Sequence, residues 1–287
     1  MITLPPSRQR LITGFALAGI LLVAVLLGGW FLHVLVLGAV LLGLWEFYCL
    51  FWPGNSQLVQ KCLGFILAGG FVLSTSLTPE WPILFVSLAL CASALMFLAR
   101  FGSHHPETRI TDYTVLPFGL LYIALPLSLA LHMHPAEQIF VVLVSTATDC
   151  GGYYAGMLFG RHKMWPSVSP KKTWQGAAGG MVASIAVCLV AGHLASRNAS
   201  LGLPVMSFWL WLTMGILLNA AAQLGDFFES ALKRSLNVKD SGTILPGHGG
   251  VLDRIDSLLF LLPLYFVFRA LYTAVALLSA PLPTPGA

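Results

Sequence analysis

The sequence predicts an all-α integral membrane protein of about nine transmembrane helices with cytoplasmic loops, a single polytopic domain over residues 1–287. Three observations predict it. Apolar residues make up 57% of the chain and charged ones only 9%, with a mean hydropathy of +0.84, whereas soluble domains carry about 25% charged residues. Apolar runs long enough to cross about 30 Å of hydrocarbon recur along nearly the whole length. When those runs are counted off as spans, the loop lysines and arginines gather on one side, the asymmetry that marks cytoplasmic loops.

The expected spans lie near 11–28, 30–51, 62–78, 81–99, 113–131, 138–159, 176–195, 205–225 and 257–279. The first two form one unbroken apolar run, divided at Gly28-Gly29 because a single helix of that length would overshoot the bilayer about twofold. The segment before Leu11, with Arg8 and Arg10, has the charge of a signal peptide. It lacks a small-residue cleavage site followed by a soluble domain, so it is read as leading into a first span. With these spans, every loop Lys and Arg except Arg197 falls on the side of the N-terminus, and Arg269 lies inside the last span. The N-terminus is therefore expected in the cytoplasm. Cys49, Cys62, Cys91, Cys150 and Cys188 sit in apolar runs without Cys-x-x-Cys spacing, which indicates neither a disulfide framework nor a zinc site.

The chain divides into N-terminal spans, 1–135, and a half at 136–287 in which most of the polar residues that need explaining lie in two loops and their flanking helix ends. In the second loop, Gln223 to Ser257, helical continuation of the eighth span would put Asp226, Glu229, Ser230 and Lys233 on one face at i, i+3, i+4 and i+7. Asp253 and Asp256, at i and i+3, precede the ninth span. Carboxylates at a membrane boundary are costly unless neutralised. A salt-bridged cluster with the neighbouring lysines and arginines would do it. So would Mg²⁺, a hard cation that takes oxygen ligands and keeps phosphate and water in its shell, with the basic residues clamping phosphate. Spacing alone leaves both open.

Between the two carboxylate pairs, Pro246-Gly247-His248-Gly249-Gly250 offers backbone amides that can approach an anion closely, although Pro-Gly and Gly-Gly also mark ordinary turns. In the first loop, Asp149 to Gly180, Asp149 sits near the cytoplasmic end of the sixth span. It is either functional or a partner for a nearby lysine. The glycines of Cys150-Gly151-Gly152 would let another helix or a ligand come close. Ser169-Pro170-Lys171-Lys172-Thr173 provides hydroxyls and two cations, suited to a triphosphate or to anionic lipid headgroups. Glu46, inside the second span, is a buried polar partner or part of a headgroup pocket; Arg269 either meets Glu46 or snorkels. His104-His105 and the His132, His134 pair read as solvated loop clusters.

The second loop resembles the phosphatidate cytidylyltransferase (CDP-diacylglycerol synthase) family. The family signature reads here as Ser230, Leu232, Lys233, Arg234, then Lys239-Asp240, Gly242, Leu245 and Pro246. It closes on His248-Gly249-Gly250-Val251 and Asp253-Arg254-Ile255-Asp256, with every position present over 230–256. The resemblance extends through Ser169–Trp174 to the Asp149 helix. Gln175 stands where the family pattern has Glu, and Cys150-Gly151-Gly152 replaces a Thr-Gly-Ala type of sequence.

The resemblance implies that these are cytoplasmic catalytic loops, and that the enzyme moves the cytidylyl group of CTP to phosphatidate, giving CDP-diacylglycerol and pyrophosphate for phospholipid synthesis. With no covalent enzyme intermediate, catalysis would rest on positioning and charge neutralisation. It implies Mg²⁺, held by Asp226, Asp253 and Asp149, and several carboxylates around one polyphosphate are compatible with a second metal ion. Asp226, Asp253, Asp256, Lys239 and His248 are the expected catalytic residues. Ser169, Lys171, Lys172, Thr173, Lys233, Arg234, Gly249, Gly250 and Arg254 are expected to bind substrate phosphate. The expected partners are CTP, phosphatidate and membrane lipids, with no nucleic acid; a homodimer is compatible, and the expected location is a bacterial inner membrane with the site facing the cytoplasm. A CTP-dependent polyprenol or phytol kinase would instead release CDP. A transporter would require internal repeats and helices broken near the midplane, and the sequence shows no repeat.

Overall fold

A computed structural model of the chain describes residues 6–54, 56–77, 81–103, 108–245 and 249–279. The first two helices, α1 (Pro6–Leu27) and α2 (Gly29–Phe51), part where expected. Gly28 and Gly29 have φ of 61° and 47°, backbone that a side chain would strain, so the apolar run breaks there and nowhere else within it. Next come α3 (Leu58–Ser74) and α4 (Trp81–Gly102). The following rod is interrupted: α5 (Ile110–Gly119), a π-helical turn (Leu120–Ala124), α6 (Leu125–Ser128) and a 3₁₀ turn (Leu129–His132). Pro117 and Pro126 each lack the N–H that a regular α-helix needs. The C-terminal half contains α7 (Pro135–Phe159), β1 (Lys163–Trp165), β2 (Ser169–Thr173), α8 (Trp174–Arg197), α9 (Phe208–Ser235) and α10 (Leu252–Ser279).

Among the described residues, six helical stretches are long and apolar enough to cross a membrane: α2, α4, the rod Ile110–His132, α8, α9 and α10. The described part of α1 and α3 are shorter apolar helices. Large apolar side chains face outward along the bundle, Trp30, Ile66, Leu95, Val182 and Val275 among them, each at least 60% exposed. An apolar exterior of this extent belongs to a multi-pass membrane protein.

Glycine faces set how closely the C-terminal helices approach. A Cβ on Gly151 would lie 2.7 Å from both the Gly179 carbonyl oxygen and the Ala183 Cβ, and one on Gly180 would lie 2.8 Å from the Thr148 carbonyl oxygen. Backbone therefore touches backbone between α7 and α8, as small residues allow between helices in lipid. Gly215 lets α9 lie on the backbone of α8 at Ile185, and Gly225 lets α9 meet the backbone of α10 at Asp256 and Ser257. Ser184 Oγ donates to the Gly215 carbonyl at 2.8 Å, joining α8 to α9.

Two expectations need correction. Arg269 neither meets Glu46 nor snorkels: its Nη1 donates to Glu137 Oε2 at 2.6 Å and its Nη2 to the His132 carbonyl at 3.3 Å. About 24 Å of helix separates Asp253 from Arg269, so α10 delivers Arg269 to the start of α7, at the end of the bundle opposite Asp253. His134 is exposed, as expected, and also serves as the N-cap of α7. Its Nδ1 accepts from Ala136 N at 3.3 Å, and Glu137 Oε2 accepts from His134 N at 2.8 Å, a reciprocal cap. The segment after α7 is also no plain loop, because β1 and β2 form an antiparallel hairpin with Lys163 opposite Thr173 and Trp165 opposite Ser169. His104-His105 lies outside the described residues.

Candidate functional site

Four chain ends meet at one end of the bundle: the C-terminal turns of α7 and α9, β2 running into the start of α8, and the first turn of α10. The residues responsible are local in sequence. As the spacing predicts, α9 continues helically to Ser235, so Asp226, Glu229, Ser230 and Lys233 share a face. Ser230 Oγ donates to Asp226 Oδ1 at 3.4 Å, and Lys233 Nζ pairs with Glu229 Oε2 at 2.5 Å. Asp253 opens α10, where the free amides and dipole of a helix N-terminus favour a carboxylate.

The hairpin supplies cations. Trp165 packs edge-on against Phe227 of α9, with ring centroids 5.5 Å apart, and this seats β2 across the helix. Lys172 Nζ then stands 4.2 Å from the Phe227 ring centroid and pairs with Asp226 Oδ2 at 2.6 Å. Thr173 ends the strand and caps α8, its Oγ1 accepting from Gly176 N at 3.1 Å. Gln175 closes the base of the hairpin, its Oε1 accepting from the amides of Arg161 and His162. A neutral amide suits this position because it also meets the ring of His162, 3.0 Å from Nε2 to Nδ1.

Two cavities share this end. The first, about 710 Å³, is lined by Asp149, Asp226, Glu229, Lys233, Lys239, Asp240, Gly249, Asp253, Arg254, Asp256 and Ser257, almost entirely polar or charged. The second, about 510 Å³, lies between α7, β2 and α8. Lys171, Lys172, Thr173, Asp149, Asp226, Gln223 and Arg254 share its wall with Tyr153, Met157, Met164 and Ala177. Asp149, Asp226 and Arg254 border both cavities. Tyr153 and Met157 on its wall are exposed apolar side chains.

Most of the sequence-predicted site residues come together here, with differences in role. Asp253 is already engaged: Oδ1 pairs with Lys233 Nζ at 2.6 Å, and Oδ2 accepts from Gly250 N at 2.8 Å and Ser241 N at 3.2 Å. Gly250 thus donates to Asp253. Arg234 reaches the Val238 carbonyl at 3.5 Å on the exposed side, and neither it nor Ser169 lines a cavity. His248 lies outside the described residues. Glu229 joins the site: it is 1% exposed and lines the first cavity, and its Oε1 has no hydrogen-bond partner among the described residues. Its spacing of three from Asp226 and four from Lys233 was the available signal.

The donor set suits a hard divalent cation, since Asp149, Asp226, Asp256 and Glu229 present only carboxylate oxygens to one cavity. Among the described residues no three such side chains stand together in ligating geometry. Lys172 and Lys233 instead neutralise Asp226, Glu229 and Asp253. The arrangement can therefore gather a polyphosphate, with lysines for its oxygens and carboxylates for its counter-cation.

A model of the cytidylyltransferase family matches residues 8–272. The phosphatidate cytidylyltransferase of Staphylococcus saprophyticus is 39% identical over 179 residues, 62% of this chain and 65% of that protein. That of Staphylococcus epidermidis is 36% identical over 211 residues, 74% of this chain and 70% of the relative. That of Staphylococcus aureus is 44% identical over 126 residues, 44% of this chain and 46% of the relative. The matched stretch thus covers just under two thirds of the first of these proteins and less than half of the last.

Proposed function

The chain belongs to the cytidylyltransferase family, and we propose that it transfers the cytidylyl group of CTP to phosphatidate, releasing pyrophosphate and leaving CDP-diacylglycerol in the bilayer. The observation that carries this reading is the pair of cavities meeting at Asp149, Asp226 and Arg254. One is polar enough for a nucleoside triphosphate. The other combines lysines with exposed apolar side chains, which suits a lipid whose acyl chains stay in the membrane while its headgroup reaches the site.

In this reading a phosphate oxygen of phosphatidate attacks the α-phosphorus of CTP, the bond from that phosphorus to the bridging oxygen breaks, and pyrophosphate leaves. Lys171 and Lys172, on the wall of the second cavity, and Arg254, which borders both, hold the lipid phosphate. Lys233 and Lys239 face the triphosphate, and Asp226 and Asp149, which border both cavities, would hold Mg²⁺, with Asp253, Asp256 and Glu229 elsewhere on the wall of the first cavity. Bound Mg²⁺ would neutralise charge on the triphosphate as the leaving group departs. The chain's own part is positioning and charge complementarity. Purified protein given CTP labelled at the α-phosphate, phosphatidate and Mg²⁺ is expected to form labelled lipid with one pyrophosphate per turnover, and to stop on chelation. Release of CDP with phosphorylated lipid would sink this reading in favour of a kinase.

We take α1, α3 and α7 as spans as well, giving nine with a cytoplasmic N-terminus, in keeping with the one-sided loop charges. The site then faces the cytoplasm, where CTP is. A single cysteine at position 239 is expected to react with impermeant maleimide only in inside-out vesicles. Labelling confined to right-side-out vesicles would overturn this orientation.

A further inference from the structure

We propose that Glu46, from α2 in the N-terminal half, is a positioning residue for this site, holding both stems of the loop that joins α9 to α10. The proposal rests on the reaction assigned above. Glu46 lies inside an apolar helix and is 2% exposed. Its Oε1 accepts from Val251 N at 3.0 Å, and its Oε2 accepts from Leu252 N at 2.8 Å and from Ser241 Oγ at 3.2 Å. Val251 and Leu252 stand at the start of α10, where backbone amides have no intrahelical partner and carry the positive end of the helix dipole. A carboxylate from a distant helix thus caps the helix that presents Asp253 and Asp256.

Two glycines make the approach feasible. A Cβ on Gly242 would sit 2.7 Å from Glu46 Cδ, and one on Gly250 would sit 2.8 Å from it, with Glu46 oxygens closer still. Glycine at these two positions therefore admits the Glu46 carboxylate, a requirement separate from any contact with phosphate. Asp253 grips the same loop from the opposite side, through the amides of Ser241 and Gly250. Between the two stems, Leu245 N donates to the Gly249 carbonyl at 2.9 Å. Glu46 lines neither cavity and acts only through the groups it holds.

The test is Glu46→Gln, which keeps the size but turns one acceptor into a donor facing a backbone N–H. Turnover is expected to fall about a hundredfold, the effect of a displacement of about 1 Å among catalytic groups, with KM for phosphatidate little changed. Amide exchange should accelerate across 236–256 while α7 and α8 exchange as in the parent. Ser241→Ala, which spares both backbone bonds, should cost a small part of that loss. Parental exchange and turnover in Glu46→Gln would overturn the proposal. So would exchange raised equally through α7 and α8 with turnover tracking the folded fraction, since that is general destabilisation. Should the parent fail to consume CTP with phosphatidate, the assigned reaction falls, while the exchange comparison still decides whether Glu46 holds the loop.

Discussion

Asp226→Asn is expected to cut turnover by about two to three orders of magnitude, the size of effect seen when one source of transition-state charge stabilisation is removed. The substitution keeps the volume and one acceptor oxygen but removes the charge that attracts Mg²⁺. Its structural cost should be small. The Lys172 partner is 28% exposed and Asp226 30%, so the pair contributes only about 0–1 kcal/mol to stability, and Lys172 keeps its place over Phe227. Asp253→Asn is the harsher companion, because Asp253 also holds two loop amides; Lys233 nevertheless retains Glu229. Turnover, melting temperature in detergent and Mg²⁺ titration should be measured together. An Asp226→Asn protein that melts like the parent and turns over at a near-parental rate across the Mg²⁺ range would refute the metal-binding role.

The second large effect is structural. Gly179→Val places a branched side chain where a Cβ already meets the Gly151 carbonyl oxygen at 2.7 Å and crowds Ala155. Neither backbone can yield without parting α7 from α8. Overpacking of this kind costs about 1–3 kcal/mol, sometimes more, and here it would also separate Asp149 on α7 from Lys172 and Thr173 at the end of β2, which leads into α8. Loss of most folded protein and a drop in melting temperature are expected, with turnover per folded molecule reduced as well. Gly152→Ala is the control: its Cβ would meet the Gly176 carbonyl oxygen at an ordinary 3.6 Å and should melt like the parent. Equal melting of Gly179→Val and Gly152→Ala would show that the close contact does not hold the helices.

The features legible in the sequence are those carried by neighbouring residues. Composition and run length identify a membrane protein because lipid imposes them on each helix separately. The break at Gly28-Gly29 follows from run length against bilayer thickness, and the shared face of Asp226, Glu229 and Lys233 from helical spacing within a few residues; Asp253 and Asp256, expected just before the last span, lie in the opening turns of its helix. The resemblance at 230–256 is equally local, which is why it identified the family that the match over residues 8–272 bears out. Tertiary structure decided which charges meet. Lys172 on Asp226, Lys233 on Asp253, Arg269 on Glu137 and Glu46 on the start of α10 each depend on how separate elements are set side by side. That setting comes from glycine contacts such as Gly151 with Gly179 and Gly225 with Ser257, whose consequence is a distance between two helices rather than a pattern along either one.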